Sequence, residues 1–96
     1  MHLFIESKEE SLISMNISPN PFEDKIYLNL NLKRDGNIQV DIYNILGQLV
    51  YNRQETLSTG THSLTIDDLP NTADGFLMVS VSDGINTFTQ KLIKTD

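Results

Sequence analysis

The sequence predicts an all-β fold, an immunoglobulin-like antiparallel β-sandwich of about seven strands with Greek-key connections. Apolar and polar residues alternate with a period of two in several short segments, as they do in strands that have one buried face. Turn-forming residues separate these segments at intervals of roughly 8–12 residues, and no segment carries the apolar period of a helix of useful length. The chain has 96 residues, 39% of them hydrophobic, which suffices for one modest core and excludes a multidomain enzyme.

The first part of the chain differs from the rest in composition. Residues 6–11 are rich in charge and lack a sustained apolar period, so we expect residues 1–16 to form a partly disordered leader or linker. The compact domain then covers residues 17–96, with a short first strand at residues 13–17 that begins the fold near Leu12.

Two prolines, Pro19 and Pro21, flank Asn20 and fix the backbone φ angle on both sides of it. Because a residue before proline favours an extended conformation, the pattern predicts a rigid elbow between the leader and the first long strand.

The clearest strand is predicted at residues 25–32, where apolar residues alternate without a break. Asp35 and Gly36 follow, and we expect this pair to turn the chain through a positive φ at the glycine into a strand at residues 38–42. The inward-facing residues of these two strands are Ile26, Leu28, Leu30, Leu32, Ile38, Val40 and Ile42.

A tight loop is predicted at residues 44–47. The Asn44 side chain can accept hydrogen bonds from backbone amides about two residues further on, and Gly47 supplies the left-handed conformation that closes the loop. The chain then returns in a strand at residues 48–53.

The second half of the chain predicts three further strands. Gly60 ends a loop before a strand at residues 62–66. A strand at residues 76–82 has apolar residues on both faces, which is typical of a central strand. The dipeptide Asp83–Gly84 is the strongest hairpin signal, a candidate two-residue type I′ turn into the last strand at residues 85–94.

Charge and composition restrict the classes of partner. Thirteen acidic and seven basic side chains give a net charge of −6, which disfavours nucleic acids and anionic membranes. No stretch approaches the ~20 apolar residues of a membrane-spanning helix, and the start of the chain lacks the features of a signal peptide. We therefore expect either a cytoplasmic protein or a piece of a longer one. The chain has no cysteine, which excludes disulfides, thiolate metal sites and a cysteine nucleophile.

A catalytic triad is formally available from Ser58, His62 and either Asp67 or Asp68. His62 shares the inward parity of its strand, however, so we expect a histidine at the rim of the core and no catalytic role.

Acidic residues in two loops suggest calcium, because carboxylate oxygens are its preferred ligands. The alternating ligand spacing of a calcium loop is missing, so we expect these residues to be solvated turn residues, with no metal and no cofactor bound. The acidic residues concerned are Glu23, Asp24, Asp67, Asp68 and Asp74.

Four motifs, in order, resemble the type A C-terminal sorting domain of the type IX secretion system, also called the Por secretion system. They are Pro-Asn-Pro-Phe at 19–22, the segment 42–50 with its Leu-Gly turn, the segment 75–81, and Gln-Lys-Leu-Ile-Lys at 90–94. The chain differs from the usual pattern in having Asn44 for Asp, Leu77 for an aromatic residue, and Ser18 where an aromatic residue is frequent. Asn44 keeps the oxygen that caps the turn, and Leu77 keeps an apolar group.

The resemblance implies an address label and not a catalyst. In this family a signal peptide takes the cargo into the periplasm, and the outer-membrane translocon or its shuttle recognises the folded domain. A sortase-like peptidase then commonly cleaves ahead of the domain and attaches the cargo to lipopolysaccharide. We therefore expect a location outside the cell or on its surface, a cargo domain that precedes this fragment, no nucleic-acid partner and no direct membrane insertion.

The same resemblance supplies candidate residues for recognition by the translocon. The last strand can dock by strand addition or by side-chain contact, with Lys91 and Lys94 as contacts, although lysines at a sheet edge also serve simply to prevent aggregation. The candidates are Pro19, Asn20, Pro21, Gly47, Gly75, Lys91, Leu92, Ile93 and Lys94.

Two alternatives use much the same fold. One is a carbohydrate-binding or adhesive module, in which Tyr27 and Tyr43, on adjacent predicted strands, form a small aromatic platform; Tyr51 is the remaining tyrosine. The other is an uncleaved domain of the same family that serves as a docking piece within the secretion machinery.

Overall fold

A computed structural model describes residues 11–67, 69 and 75–95. These residues contain seven strands and no helix: β1 (Leu12–Ser18), β2 (Ile26–Leu32), β3 (Gly36–Tyr43), β4 (Leu49–Leu57), β5 (Gly60–Ile66), β6 (Gly75–Ser82) and β7 (Thr87–Lys94). Most of the expected leader, residues 1–10, lies outside the described residues, and residues 12–16 belong to β1. Among the described residues, then, nothing has the length and apolarity of a membrane-spanning helix.

The strands form two antiparallel sheets, which confirms the predicted immunoglobulin-like sandwich. One sheet has the order β1-β2-β5 and the other the order β4-β3-β6-β7. The chain crosses between the sheets after β2, after β4 and after β5, which is the Greek-key connectivity expected of this fold class.

The inner faces of both sheets supply a single hydrophobic core. The alternation predicted for β2 is confirmed, because its four apolar residues are almost fully buried. Burial also alternates in β3 and β6, because successive side chains of a strand point to opposite faces of the sheet. The buried core residues are Leu12, Ile17, Phe22, Ile26, Leu28, Leu30, Leu32, Ile38, Val40, Ile42, Leu57, Leu64, Ile66, Leu77, Val79, Val81 and Leu92.

The prediction of a positive-φ turn at Asp35–Gly36 is wrong. The φ angle of Gly36 is not positive, and the segment carries the chain from β2 in one sheet to β3 in the other. Gly36 is required for a different reason: a Cβ atom there would collide with the Ser11 side chain, lying 2.8 Å from its Cβ. The position therefore depends on the close approach of Ser11, just ahead of β1, to the start of β3, and not on backbone conformation.

The hairpin between β6 and β7 is confirmed, but its turn differs from the prediction. The loop has four residues, 83–86, and a type I′ turn is not formed, because it needs two positive φ angles and only Gly84 has one, at 96°. Instead, Asp83 Oδ1 accepts hydrogen bonds from the N–H groups of Ile85 and Asn86, at 2.8 and 2.7 Å. The aspartate side chain thus closes the turn.

Polar contacts also join the two sheets at the β4–β5 side. Arg53 of β4 donates a hydrogen bond to the Thr65 carbonyl oxygen of β5 at 3.0 Å, and its hydrogen bond to Glu55, at 2.7 Å, raises the pKa of the guanidinium. Asp35 accepts hydrogen bonds from the Thr59 N–H and hydroxyl, which lower the pKa of its carboxyl.

The strand registers define two ends of the sandwich. The Asp83 end contains Ser11, the start of β3 and the β6–β7 loop, and the backbone N–H of Ser11 donates a hydrogen bond to Asp83 at 2.8 Å. The elbow end contains residues 18–22, the β3–β4 loop, the start of β6 and the end of β7.

Candidate functional site

The Pro-Asn-Pro elbow connects β1 to β2 at the elbow end. The short strand predicted at residues 13–17 is part of β1, so the elbow lies between two strands and not between a leader and the first long strand. Both proline peptide bonds, Ser18–Pro19 and Asn20–Pro21, are cis. Phe22 follows the second proline and forms a parallel bridge to Lys94 at the end of β7. Between β1 and β2 of one sheet, the elbow therefore passes along β7, an outer strand of the other sheet.

Asn20 binds the free edge of β7 with both polar atoms of its side chain. Its Oδ1 accepts a hydrogen bond from the Ile93 N–H at 3.0 Å, and its Nδ2 donates one to the Lys91 carbonyl oxygen at 3.2 Å. An amide side chain can offer one acceptor and one donor in this way, as the backbone of a neighbouring strand would. Asn20 thus pairs with part of an edge that would otherwise be open.

Phe22 extends the same pairing towards the end of β7. Its N–H donates a hydrogen bond to the Ile93 carbonyl oxygen at 2.9 Å, and its carbonyl oxygen accepts one from the Thr95 N–H at 2.8 Å. Its ring is almost fully buried in the core, which anchors the elbow. Strand addition to β7 between Lys91 and Thr95 would have to displace these bonds, so the open part of this edge lies nearer to Thr87.

The tight loop predicted at residues 44–47 is confirmed. Asn44 Oδ1 accepts hydrogen bonds from the N–H groups of Leu46 and Gln48, both at 2.9 Å, and Gly47 has a φ angle of 84°. The loop presents Ile45 and Leu46 to solvent, with 75% and 78% of their surfaces exposed.

All nine candidate recognition residues lie at the elbow end. Gly47 is in the β3–β4 loop, and Gly75 begins β6 opposite Lys94. The side chain of Leu92 is fully buried in the core, so it contributes to packing, whereas Lys91 and Ile93 are exposed on the opposite face of β7. That these residues contact the translocon stays a prediction.

A surface that the sequence analysis did not single out lies beside these residues. Cross-strand partners share a face of a sheet, and on the outer face of the four-stranded sheet the pairs at the elbow end are largely apolar. β6 is central, as predicted, but its second face is open: Phe76 is 46% and Met78 38% exposed. We call this surface the outer patch; it consists of Tyr43, Leu49, Phe76, Met78, Lys91 and Ile93.

The triad considered for catalysis is not assembled from Ser58 and His62. His62 Nε2 lies 2.8 Å from the backbone carbonyl oxygen of Ser58, and its ring is half-buried at the edge of β5. A carbonyl oxygen is no nucleophile that a base could activate, so this contact is structural. Asp68, an alternative third member, lies outside the described residues.

The calcium hypothesis depends partly on residues that are not described. Asp68 and Asp74 lie outside the described residues. Across residues 11–67, 69 and 75–95, no three His, Asp or Glu side chains come together in a group that could hold a metal ion.

The aromatic platform considered for carbohydrate binding is wrong. Tyr27 belongs to β2 in the three-stranded sheet and Tyr43 to β3 in the four-stranded sheet, so the two rings lie on opposite outer faces. Tyr51 packs against the core. The tyrosines therefore form no shared surface for sugar rings.

Fold and surface together define a class of protein: a small immunoglobulin-like β-sandwich that presents an exposed, partly apolar surface at one end. The family comparison is more specific. Residues 16–95 match the family of secretion system C-terminal sorting domains, and the chain belongs to this family. It is thus a type IX secretion sorting signal. Sorting domains of this family are non-catalytic and interact with the type IX secretion machinery. The signal implies export to the outer membrane, the cell surface or the medium.

Comparison with solved structures gives the fold alone. The chain is similar to part of a β-glucosidase from Listeria innocua, solved in complex with glucose, with a TM-score of 0.52 and 10% identity over 92% of this chain and 16% of that one. It is also similar to a CARDB domain from Pyrococcus furiosus, solved in complex with di-metal ions, with a TM-score of 0.51 and 15% identity over 92% of this chain and 97% of that one. None of the curated proteins compared with the chain matches it.

Proposed function

We propose that this domain directs a larger cargo protein across the outer membrane by type IX secretion, as a non-catalytic signal that is recognised in its folded form. The observation that carries the proposal is the family match over residues 16–95, which covers the last three residues of β1 and all of β2 to β7. The translocon or its shuttle is the recognising partner, and the cargo precedes this chain and passes through the periplasm.

The arrangement of the candidate residues supports recognition of a folded surface. They come from four separate parts of the sequence, at 19–21, 47, 75 and 91–94, and they lie at one end of the sandwich only because the strands pair as they do. A linear peptide from any one part would present a fraction of them. We therefore assign the signal to the elbow end as a whole.

We also propose that a sortase-like peptidase cleaves ahead of the domain, within residues 6–11, and attaches the cargo to the cell surface. The chain enters the fold at Ser11, whose N–H is bound by Asp83 at the end opposite the elbow. Cleavage ahead of Ser11 would leave the strands of the sandwich intact.

The test fuses a signal peptide and a reporter enzyme to the full 96-residue chain in a bacterium with a working type IX system. We expect the reporter outside the cells or on their surface, without the mass of the domain, and in the periplasm when the translocon is deleted. The control carries Val79→Asp, which places a carboxylate in the buried core and unfolds the domain. Retention of the folded wild-type fusion in the periplasm would overturn the proposal.

A further inference from the structure

We propose that the outer patch is the docking surface for a protein partner that brings apolar side chains against it and a carboxylate to Lys91. This inference deepens the proposed function and rests on it, since the partner is a component of the secretion machinery.

The outer face of the four-stranded sheet is divided between its two ends. Towards the Asp83 end it carries polar residues, as a solvated face of an antiparallel sheet usually does. Its acidic residue, Asp41, accepts hydrogen bonds from the Gln39 and Asn52 side chains at 3.0 and 2.6 Å. Towards the elbow end the same strands carry the apolar residues of the outer patch. Sheet formation does not require the apolar residues at the elbow end, because the same backbone hydrogen bonding joins the strands in the polar half of the sheet. The polar half consists of Asn37, Gln39, Asp41, Asn52, Gln54, Thr56, Ser80, Ser82, Thr87 and Thr89.

Lys91 gives the outer patch a single positive charge. Its Nζ lies 4.8 Å from the centroid of the Phe76 ring, so the ammonium group is held over an aromatic face within the patch. No carboxylate of the described residues forms an ion pair with it. A partner that covers the patch removes water from this charge, which favours a partner with a carboxylate at that point.

The β3–β4 loop continues the outer patch beyond the edge of the sheet. Tyr43 and Leu49 face each other at the last pair before the loop, and Ile45 and Leu46 follow within it. Aromatic residues and methionine are enriched at protein interfaces, whose buried centre is more apolar than the rest of the surface. A few side chains at that centre supply most of the binding energy.

Charge also distinguishes between possible occupants. A second copy would bring another Lys91 to the interface, whereas the outer patch itself contains no carboxylate. Asp41 lies beside the patch on the same face, but both of its oxygens already accept hydrogen bonds from Gln39 and Asn52. Face-to-face pairing of two patches therefore leaves both Lys91 charges without a free carboxylate. An anionic lipid surface would match Lys91 but repel a chain with a net charge of −6. A protein partner of mixed apolar and acidic character meets neither obstacle.

The chain offers a closely matched pair of isoleucines for the test. Ile93 lies in the outer patch and is 40% exposed, whereas Ile85 lies in the β6–β7 loop at the Asp83 end and is 42% exposed. In the reporter fusion of the full chain, we expect Phe76→Thr combined with Ile93→Thr to lower export at least about tenfold. Ile85→Thr should leave export unchanged, and circular dichroism of the purified chains should show both variants folded.

A second experiment tests the charge of Lys91. A photo-crosslinking amino acid replaces Phe76 in the reporter fusion, and the crosslinks are made in cells that export the fusion. We expect a crosslink to a protein of the secretion machinery, which is lost with Lys91→Glu and kept with Lys91→Arg. A crosslink to a second copy instead, or binding of the purified chain to phosphatidylethanolamine–phosphatidylglycerol vesicles that requires Lys91, would overturn the proposal.

The export results separate the two levels of inference. Normal export of the wild type and of the folded Phe76→Thr, Ile93→Thr variant would overturn the outer patch as the docking surface and leave the sorting function intact. Failure of the folded wild type to export would overturn the proposed function and this inference with it.

Discussion

Asp83 shows how one side chain joins segments that are distant in the sequence. Its Oδ2 accepts hydrogen bonds from the N–H groups of Ser11 and Leu12, at 2.8 and 3.0 Å, while its Oδ1 closes the β6–β7 turn through Ile85 and Asn86. Partial burial alone would raise the pKa of this carboxyl, but the four backbone donors outweigh it and lower the pKa to about 2. The ionised carboxylate is therefore the form that the fold binds.

This pKa predicts a loss of stability in acid. Because the folded-state pKa of Asp83, about 2, lies below the unfolded value near 3.8, its contribution is complete above about pH 4 and disappears as the pH falls through 2. Asp83→Asn keeps one acceptor oxygen and loses the charge, so we expect it to lower the free energy of unfolding by roughly 1–2 kcal/mol at pH 7. We also expect the free energy of unfolding of this variant to fall less between pH 4 and pH 2 than that of the wild type. Urea denaturation followed by circular dichroism measures both effects.

The control for this prediction is Glu23→Gln, which removes an exposed carboxylate without a backbone contact of this kind. Equal acid sensitivity of the wild type and the Asp83→Asn variant would show that other groups determine it.

For individual residues, the sequence predicted correctly those contacts whose partners are close together in the chain. The roles of Asn44 and Gly47 were predicted because the side chain and the amides that it binds are at most four residues apart. The bonds from Asp83 to β1 span 71 and 72 residues, and no local pattern indicates them. Gly36 was misassigned for the same reason, since the side chain that excludes a Cβ there belongs to Ser11.

Among the elements, the elbow and β7 depend on each other most directly. β7 is an outer strand with β6 on one side, and the elbow supplies partners on its other side from Lys91 to Thr95. Open edges promote unwanted pairing with other chains. The elbow thus covers the backbone edge at Lys91 and Ile93, and it leaves the side chains of these two residues exposed on the sheet face.

We expect Asn20→Ala to loosen the end of β7 without unfolding the domain. The variant removes the acceptor of the Ile93 N–H and the donor to the Lys91 carbonyl oxygen, a loss of about 1–2 kcal/mol at this partly solvated site. Native-state hydrogen exchange should show a faster-exchanging Ile93 amide, with little change at Leu92, whose side chain stays buried.

Asn16→Ala is the matched control, because Asn16 is an exposed asparagine of β1, opposite Asn29 of β2, and its side chain forms no hydrogen bond to β7 among the described residues. If the Ile93 amide exchanged at the same rate in the wild type and in both variants, the side chain of Asn20 would not protect this edge.

For the elements as a whole, the period-two pattern predicted the strands and their buried faces but not their neighbours. It placed apolar residues inwards in β2, β3 and β6, because alternation depends only on the local backbone. It did not separate β2 from β3 into different sheets, which is why Tyr27 and Tyr43 were wrongly expected side by side. The outer patch was missed for the same reason, since Leu49, Met78 and Ile93 become neighbours only through strand pairing.

At the scale of the whole molecule, the chain enters at one end of the sandwich and presents its candidate recognition surface at the other. β1 runs from Ser11 and Leu12, beside Asp83, to Ser18 at the elbow, a distance of roughly 20 Å for a seven-residue strand. In the proposed function, a cargo joined ahead of Ser11 is attached at the end opposite the elbow. We therefore expect recognition at the elbow end to be independent of the cargo.

This organisation predicts that the two ends tolerate insertions differently. Six Gly-Ser residues inserted between Ile45 and Leu46 lengthen an exposed loop, at a cost on the order of 1 kcal/mol, so the sandwich should still fold. The insertion separates the two exposed side chains and moves them away from Tyr43 and Leu49, and we expect export of the reporter fusion to fail. The same insertion between residues 10 and 11 lies ahead of the strand that enters at the Asp83 end, and we expect export to continue. Equal export of the two insertion variants, with both folded by circular dichroism, would mean that recognition does not use the β3–β4 loop and that the signal lies elsewhere on the sandwich.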